Sequence, residues 1–509
     1  MRLQVVTAVA AWAVTSVCQS VPMSRNLWSR DADFKELSEK LSSSAKAYYP
    51  GTEEFKAANE RWSNLDVPTV NIVVVPGTEN DVVETVKFAN KKQLPFLAYN
   101  SAHGAIRTLG KMTSGIEIYL DQLSGVKIAE DGKTATISGG TKSKVVTHTL
   151  WDAGKQAGKI SNSISLVTGA CECVSYIGPA LGGGHGWLQG RHGLIGDQFE
   201  SMNIVLANGT LVTLDSSSEL WWALNGAGHN FGVVTSITSK IFDVEHKDWA
   251  IEILTFSGSK VESLYDSVNK YLLKNGTQPT DVINWSYWVN MPEADPSNPV
   301  IQILIIQEGV TAVDSSYTAP FHALKPISTE THTGGYLDLA KWVGVTTTDG
   351  PCQKTGAMNP RFPIYLETYD VAAQKEAYEL FAENIRGDSI FNGSLYTFDG
   401  YSMEGVRSLD AKSSAFAYRQ QNVLTAPLIT YMPDGPELDE KAAALGNKLR
   451  QILHKGTGRS YIPAYVNYAN GDEGPEEWYG SESWRQSRLQ SLKKKYDPSG
   501  LFSFYAPIA

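Results

Sequence analysis

Hydrophobic and polar positions along this chain follow two periods, and the changes of period mark its elements. Residues 69–75 are β-branched everywhere except Asn71 and stop at Pro76-Gly77, which predicts a buried strand. Thr78, with Asp81 three residues later, predicts a helix start, and Val82, Val83, Val86 and Ala89 form one apolar face behind it. Residues 94–99 predict the next strand. Short strands follow at 116–120 and 134–138, then helical spacing at Val145, Val146, Thr149 and Ala153. Residues 204–212 predict a hairpin with Asn208-Gly209 at its tip. A short helix over 220–224 and a strand starting at Gly232 close this half.

From about residue 245 the pattern changes. Residues 281–289 alternate around Trp285, Tyr287 and Val289, residues 301–306 predict a strand, 370–384 a helix, and 414–431 more strand. The tail predicts an aromatic strand from Tyr461, a helix around Trp484, Leu489 and Leu492, and a turn at Asp497-Pro498-Ser499-Gly500. Residues 21–65 are polar with helical character and are expected to wrap the outside. The fold class is therefore α+β: a first domain over 66–244, a second over 245–455 whose antiparallel sheet carries helices on one side, and a segment over 456–509 that returns to the first.

The chain has 509 residues, and its one long apolar stretch is at the front. Met1-Arg2 is a short positive start, residues 3–17 are apolar, and Ser16, Cys18 and Ser20 supply small or polar residues. That is the layout of a secretory signal over 1–20, cleaved near 18–22 and too short to span a bilayer. The expected location is the secretory pathway or the exterior, with no stable membrane insertion after cleavage. Asn-x-Ser/Thr sequons at Asn208, Asn275, Asn284 and Asn392 agree with that route. Once Cys18 has left with the signal, Cys171, Cys173 and Cys352 leave at least one thiol free or bonded to something other than cysteine. The net charge of -10 and the absence of any long basic run exclude nucleic acid as a partner. The 13 Trp and 23 Tyr suit a chain that lines a pocket with rings.

Common nucleotide motifs fail. Gly182-Gly183-Gly184-His185-Gly186 does not complete the Rossmann fingerprint, and no Walker loop, zinc-protease helix or hydrolase elbow occurs. The nine His are scattered without metal-ligand spacing. Three loops of small residues remain. Asn100-Ser101-Ala102-His103-Gly104 follows a predicted strand, where small side chains let backbone N–H groups approach an anion. Thr168 to Cys173, with Gly178 to Gly186, forms a second element, and Asn225 to Gly232 a third.

On these loops the chain resembles the berberine-bridge-enzyme-like FAD-linked oxidases of the vanillyl-alcohol oxidase and p-cresol methylhydroxylase superfamily, from about Asp66 to the C-terminus. The first loop is similar to the family's Arg-Ser-Gly-Gly-His, and His103 falls on the histidine that bonds the flavin 8α-methyl. Cys171 stands ten residues before Leu181, the offset of the family's flavin-C6 cysteine. Asn225 to Thr235 resembles the Gly-Gly-Gly-Asn-Phe-Gly-Val-Val-Thr signature. Tyr465-Val466-Asn467-Tyr468, then Tyr496 to Phe502, resembles the family's ending. The first loop departs from the pattern, lacking the Arg and both Gly, and Cys173 stands where Thr is usual.

The resemblance implies a two-part FAD-binding domain of the p-cresol methylhydroxylase type. FAD would be held by Tyr99, Asn100, Ser101, Ala102, His103, Gly104, Gly169, Cys171, Gly178, Gly182, Gly183, Val233 and Asn467. It also implies covalent attachment through His103 and a second bond through Cys171, with Cys173 as a competing thiol. Hydride transfer from a small organic substrate to flavin N5, and reduction of O2 to H2O2, would follow. Tyr468 is the candidate base and Asp399 its carboxylate helper. The substrate class implied is an alcohol or polyketide intermediate of secondary metabolism. A carbohydrate oxidase, and a cyclase or isomerase with little net redox, stand as alternatives.

Overall fold

The computed structural model describes residues 34–508 apart from 157–163 and Asn275. The proposed signal, Cys18 and the Asn275 sequon lie outside the described residues. Two compact units are delimited, 1–40 and 41–509. In the first, residues 34–38 are helical.

In the second unit the β-branched run becomes the strand Val70–Val75, and its neighbours form a four-stranded sheet with it. The order is Lys46–Tyr48, Val70–Val75, Gly115–Tyr119, Phe96–Tyr99, with the first pair antiparallel and the others parallel. The helix Glu79–Lys92 starts where Thr78 and Asp81 cap each other's backbone N–H groups. A five-stranded antiparallel sheet follows, ordered Val126–Ile128, Thr134–Ser138, Gly232–Lys240, Phe199–Leu206, Leu211–Asp215. Its last two strands are the hairpin, which turns at Gly209 with φ 78°.

The seven-stranded sheet of the second half is antiparallel throughout. Its order is Ser328–Gly335, Asp248–Ser257, Val300–Glu308, Val282–Val289, Leu395–Gly400, Val423–Leu428, Ile364–Leu366. Strand alternation divides its faces. Val282 and Trp288, with Tyr396 and Phe398, pack in one core with the helices Val371–Ile385 and Pro436–Thr457. Ile283, Trp285 and Tyr287 pack in the core shared with the first half.

Four expectations need correction. Over 41–65 the chain is not an outer wrap: Lys46–Tyr48 joins a sheet, and Arg61 and Trp62 are buried. The aromatic tail strand does not form. Pro463 and Ala464 spend their backbone groups on Tyr365 and Glu477, and Val466–Tyr468 is a 3-10 turn. In 414–431 only Val423–Leu428 is a strand. The sequon at Asn284 is buried in the central sheet, its amide donating to the Leu304 carbonyl at 3.3 Å, which leaves no room for a glycan.

Gly446 lies inside the helix Pro436–Thr457, and a Cβ there would run into the ring of fully buried Phe362. Gly446→Ala should therefore lose about 1–3 kcal/mol by overpacking, against the gain of about 1 kcal/mol its helix propensity alone would give. Denaturant unfolding of the two proteins checks the sign.

Candidate functional site

The first small-residue loop leaves the parallel sheet at Tyr99. That ring is stacked on Tyr119 at 4.7 Å, carries the Arg61 guanidinium over its face at 5.3 Å, and donates its hydroxyl to the Ala58 carbonyl. Its side chain is thus committed to the protein. The loop itself is different. Asn100 and Ser101 are buried, and both amide atoms of Asn100 and the Ser101 hydroxyl have no partner among the described residues. Ala102 turns through the left-handed region at φ 56°. Buried polar atoms left without partners cost free energy, so such a cradle fits a polar ligand group.

His103 follows, its ring stacked at 6.1 Å on Trp62. Its Nδ1 lies 3.1 Å from the Ser101 carbonyl and its Nε2 3.5 Å from Cys173 Sγ. Burial first, then Arg361, pushes its pKa down to about 4, so the imidazole is neutral at physiological pH.

In the second element the two neighbouring cysteines separate. Cys173 is disulfide-bonded to Cys352, and Cys171 is the free thiol. Burial raises the Cys171 pKa to about 11, opposed by Arg361. A Cβ on Gly169 would come no nearer than 4.0 Å to the His185 carbonyl and Ser143 Oγ, while the Gly178 N–H is already used on Ser175 Oγ at 3.0 Å. The triple glycine is where the backbone must come close. A Cβ on Gly182 would lie 2.5 Å from Asn467 Oδ1 and 2.6 Å from Val466 Cγ1, and Gly183 turns at φ 101°. Asn467 in turn donates to the Pro179 carbonyl at 2.9 Å and to the Tyr465 hydroxyl at 2.7 Å. Val233 is a buried core residue, laddered with Val205, and offers no free polar group through its side chain.

That contact delivers Tyr468. Its hydroxyl donates to Asp399 Oδ2 at 3.3 Å. Asp399 faces this way because Tyr396 and Phe398, alternating with it, point into the helix-covered core. Burial raises the Asp399 pKa to about 7, against lowering by Arg361 and by the Tyr468 hydrogen bond. Burial, then Asp399, pushes Tyr468 well above the usual phenol range.

The structure therefore brings together Tyr468, Asp399 and Cys171, all within the field of Arg361. Sequence reading missed Arg361. The signal available was Pro360-Arg361-Phe362-Pro363, a cation held in a stiff segment between two prolines. It also missed His185, whose Nε2 and Nδ1 meet Tyr365 and Gln189 at 2.8 Å each and whose ring stacks on Tyr401 at 5.8 Å.

Comparison with known proteins bears on the family and the fold. The model of the FAD binding domain matches residues 70–215, and that of the berberine and berberine-like family matches 464–509. The chain is 79% identical to the FAD-linked oxidoreductase chyH of Penicillium rubens over 509 residues, covering all of both chains. It is 67% identical over 521 residues to chry5 of Gibberella zeae, an FAD-linked oxidoreductase, again covering all of both. Among solved structures, the xylooligosaccharide oxidase of Myceliophthora thermophila in complex with xylobiose superposes with a TM-score of 0.78 at 19% identity, covering 94% of this chain and 98% of that one. BBE-like 1 of Physcomitrella patens gives 0.77 at 19%, covering 94% and 99%. At that identity the two structures speak for the fold.

Asp399 makes a stability prediction. Its folded pKa of about 7 lies above an unfolded value near 4, so its contribution to stability is complete below about pH 4 and is lost as pH rises through 7. Asp399→Asn should gain stability relative to the wild type between pH 4 and pH 8, by up to about 4 kcal/mol. Unfolding free energies of both proteins at the two pH values test this.

Proposed function

The chain belongs to the berberine-bridge-enzyme-like FAD-linked oxidoreductases, and we propose that it is a secretory-pathway oxidase of a small organic substrate. An alcohol or polyketide-type intermediate of secondary metabolism is the substrate class. The observation that carries this reading is the Tyr468–Asp399 hydrogen bond, set beside Cys171 and within one field with His103. FAD, when bound, supplies the acceptor for the substrate hydride, and O2 takes the two electrons onward to H2O2.

The protein's own work is then to hold the substrate and take its proton. A phenol held far above its usual pKa does not ionise on its own at neutral pH. Tyr468 accepts the substrate's hydroxyl proton as it passes its own to Asp399, whose pKa near 7 lets it alternate between the two states. Asn100, Ser101 and the backbone around Gly182 would hold the cofactor's polar groups. Neutral His103 would offer a nucleophilic nitrogen to the 8α position in place of its contact with Ser101 or Cys173; a bond there would replace a methyl C–H, with the proton released and the two electrons passing through the flavin to O2. The pairing of Cys173 with Cys352 leaves Cys171 as the thiol that would hold flavin C6; it would first have to give up the proton that burial favours, and the bond would replace a ring C–H with the two electrons passing through the flavin to O2.

The flavin should stay with the protein after acid precipitation, and peptide mapping should place its mass on the peptides holding His103 and Cys171. Cys171→Ala should keep attachment through His103 and alter the visible spectrum. Release of all flavin from the wild type would refute covalent binding. A peroxide assay over alcohols, polyketides and sugars identifies the substrate, and Tyr468→Phe should slow anaerobic flavin bleaching by it about 100-fold or more. Bleaching that never occurs with a converted substrate would point to a cyclase or isomerase.

Expression in a eukaryotic host should remove the first residues near 18–22. Glycans should appear at the exposed Asn208 and Asn392 and not at Asn284. Enzymatic deglycosylation with mass mapping checks each position.

A further inference from the structure

We propose that Arg361 is a positioning residue that supplies the fixed counter-charge of the Tyr468–Asp399 pair, an inference that rests on reading that pair as the proton acceptor. The guanidinium carbon lies 4.5 Å from the Tyr468 ring centroid and 4.5 Å from that of Trp62. Trp62 is itself stacked on His103. The backbone of Arg361 bridges to Leu428, at the end of the strand that pairs with Leu395–Gly400, the strand of Asp399. The contact with the Tyr468 ring puts the charge at the pair, the Trp62 ring covers it from a second side chain, and the bridge to Leu428, opposite Leu395, anchors its backbone.

The charge is not spent elsewhere. Arg61, Arg191, Arg419 and Arg450 each meet a carboxylate, Glu117, Glu308, Asp197 and Glu473 respectively. Arg361 has no such partner among the described residues. Among the described residues, the other titratable groups that interact with Asp399 or Tyr468 are Cys171, Tyr287, Tyr365, Tyr369, Tyr401 and Tyr465, and Tyr505 faces Arg361 itself. Burial raises the pKa of each of these thiol and phenol groups, so all are neutral near pH 7. Lys354 acts on His103, as Arg361 does, and does not figure among the influences on Asp399 or Tyr468. Among the described residues Arg361 is therefore the fixed cation acting on this cluster, and it lowers the proton affinity of Asp399, Tyr468 and Cys171 alike. Without it, burial alone would keep Asp399 protonated well above neutrality, and Tyr468 would have nowhere to send its proton.

The test titrates the visible flavin absorbance of the purified holoenzyme between pH 5 and 10, which needs no substrate. The wild type should show a transition near neutrality that Asp399→Asn abolishes. Arg361→Gln should move its midpoint upward by about one pH unit or more, while Arg361→Lys should hold it within a few tenths. An Arg361→Gln midpoint equal to that of the wild type overturns the proposal while leaving the pair intact. A transition that survives in Asp399→Asn, or a wild type with none, overturns the reading of the pair and the proposal with it. Should Arg361→Gln not fold, phenylglyoxal modification of folded wild type, mapped to Arg361, should give the same upward shift. The identically treated Arg361→Lys protein, which lacks that target, should give none, and no shift in the modified wild type overturns the proposal.

Discussion

The absence of a side chain at Gly182 is the constraint on which the site depends. The turn Val466–Tyr468 sits on that residue so closely that a single Cβ would collide with both Asn467 and Val466. Asn467 then holds the loop through the Pro179 carbonyl, and Tyr468, the next residue, is placed toward the seven-stranded sheet. A methyl group at 182 would have to push the turn outward, and a displacement of about 1 Å is enough to spoil a proton-transfer geometry. The glycine is needed for what approaches it more than for its own freedom of rotation.

Two further links keep the halves in register around that contact. Arg419 makes two parallel hydrogen bonds to Asp197, at 2.9 and 2.7 Å, with both side chains almost fully buried. The Leu194 N–H and the Asn225 amide complete the carboxylate's partners, so the loop after the triple glycine is tied to the segment that follows Phe416. A buried pair satisfied in this way contributes little net stability, but loss of one partner leaves a buried charge and costs about 3–5 kcal/mol. The disulfide Cys173–Cys352 does similar work on the other side, fastening the cysteine loop to the stretch that leads into Arg361.

Much of this was legible in the sequence where the signal was local. The capped helix Glu79–Lys92, the Asn208 hairpin and the alternating strand Val282–Val289 each follow from residues adjacent in the chain. Tyr468 and Asp399 were also named from the sequence, and the structure sets them 3.3 Å apart. The failures share a cause. The tail after Tyr461 has strand composition, but its backbone is drawn onto a loop far away in sequence, and tertiary contact overrides propensity. Arg61 and Trp62 looked like polar surface because their partners, Glu117 and Arg361, lie tens to hundreds of residues away. Asn284 matched a modification motif that only burial could veto.

The first loop shows how a departure from a family pattern can be absorbed. Tyr99 stands where an arginine is usual, yet a guanidinium still lies over that position, brought by Arg61 and paired with buried Glu117. Ala102 takes the left-handed turn that a glycine would make freely, at a cost of about 1–2 kcal/mol. Asn100 and Ser101 add buried polar atoms without protein partners, each costing about 1–3 kcal/mol until something bonds them. A loop this strained and this unsatisfied is maintained by the sheet beneath it. It gains most from a ligand that offers polar atoms to those groups, so ligand binding there and stability of the fold are thermodynamically linked.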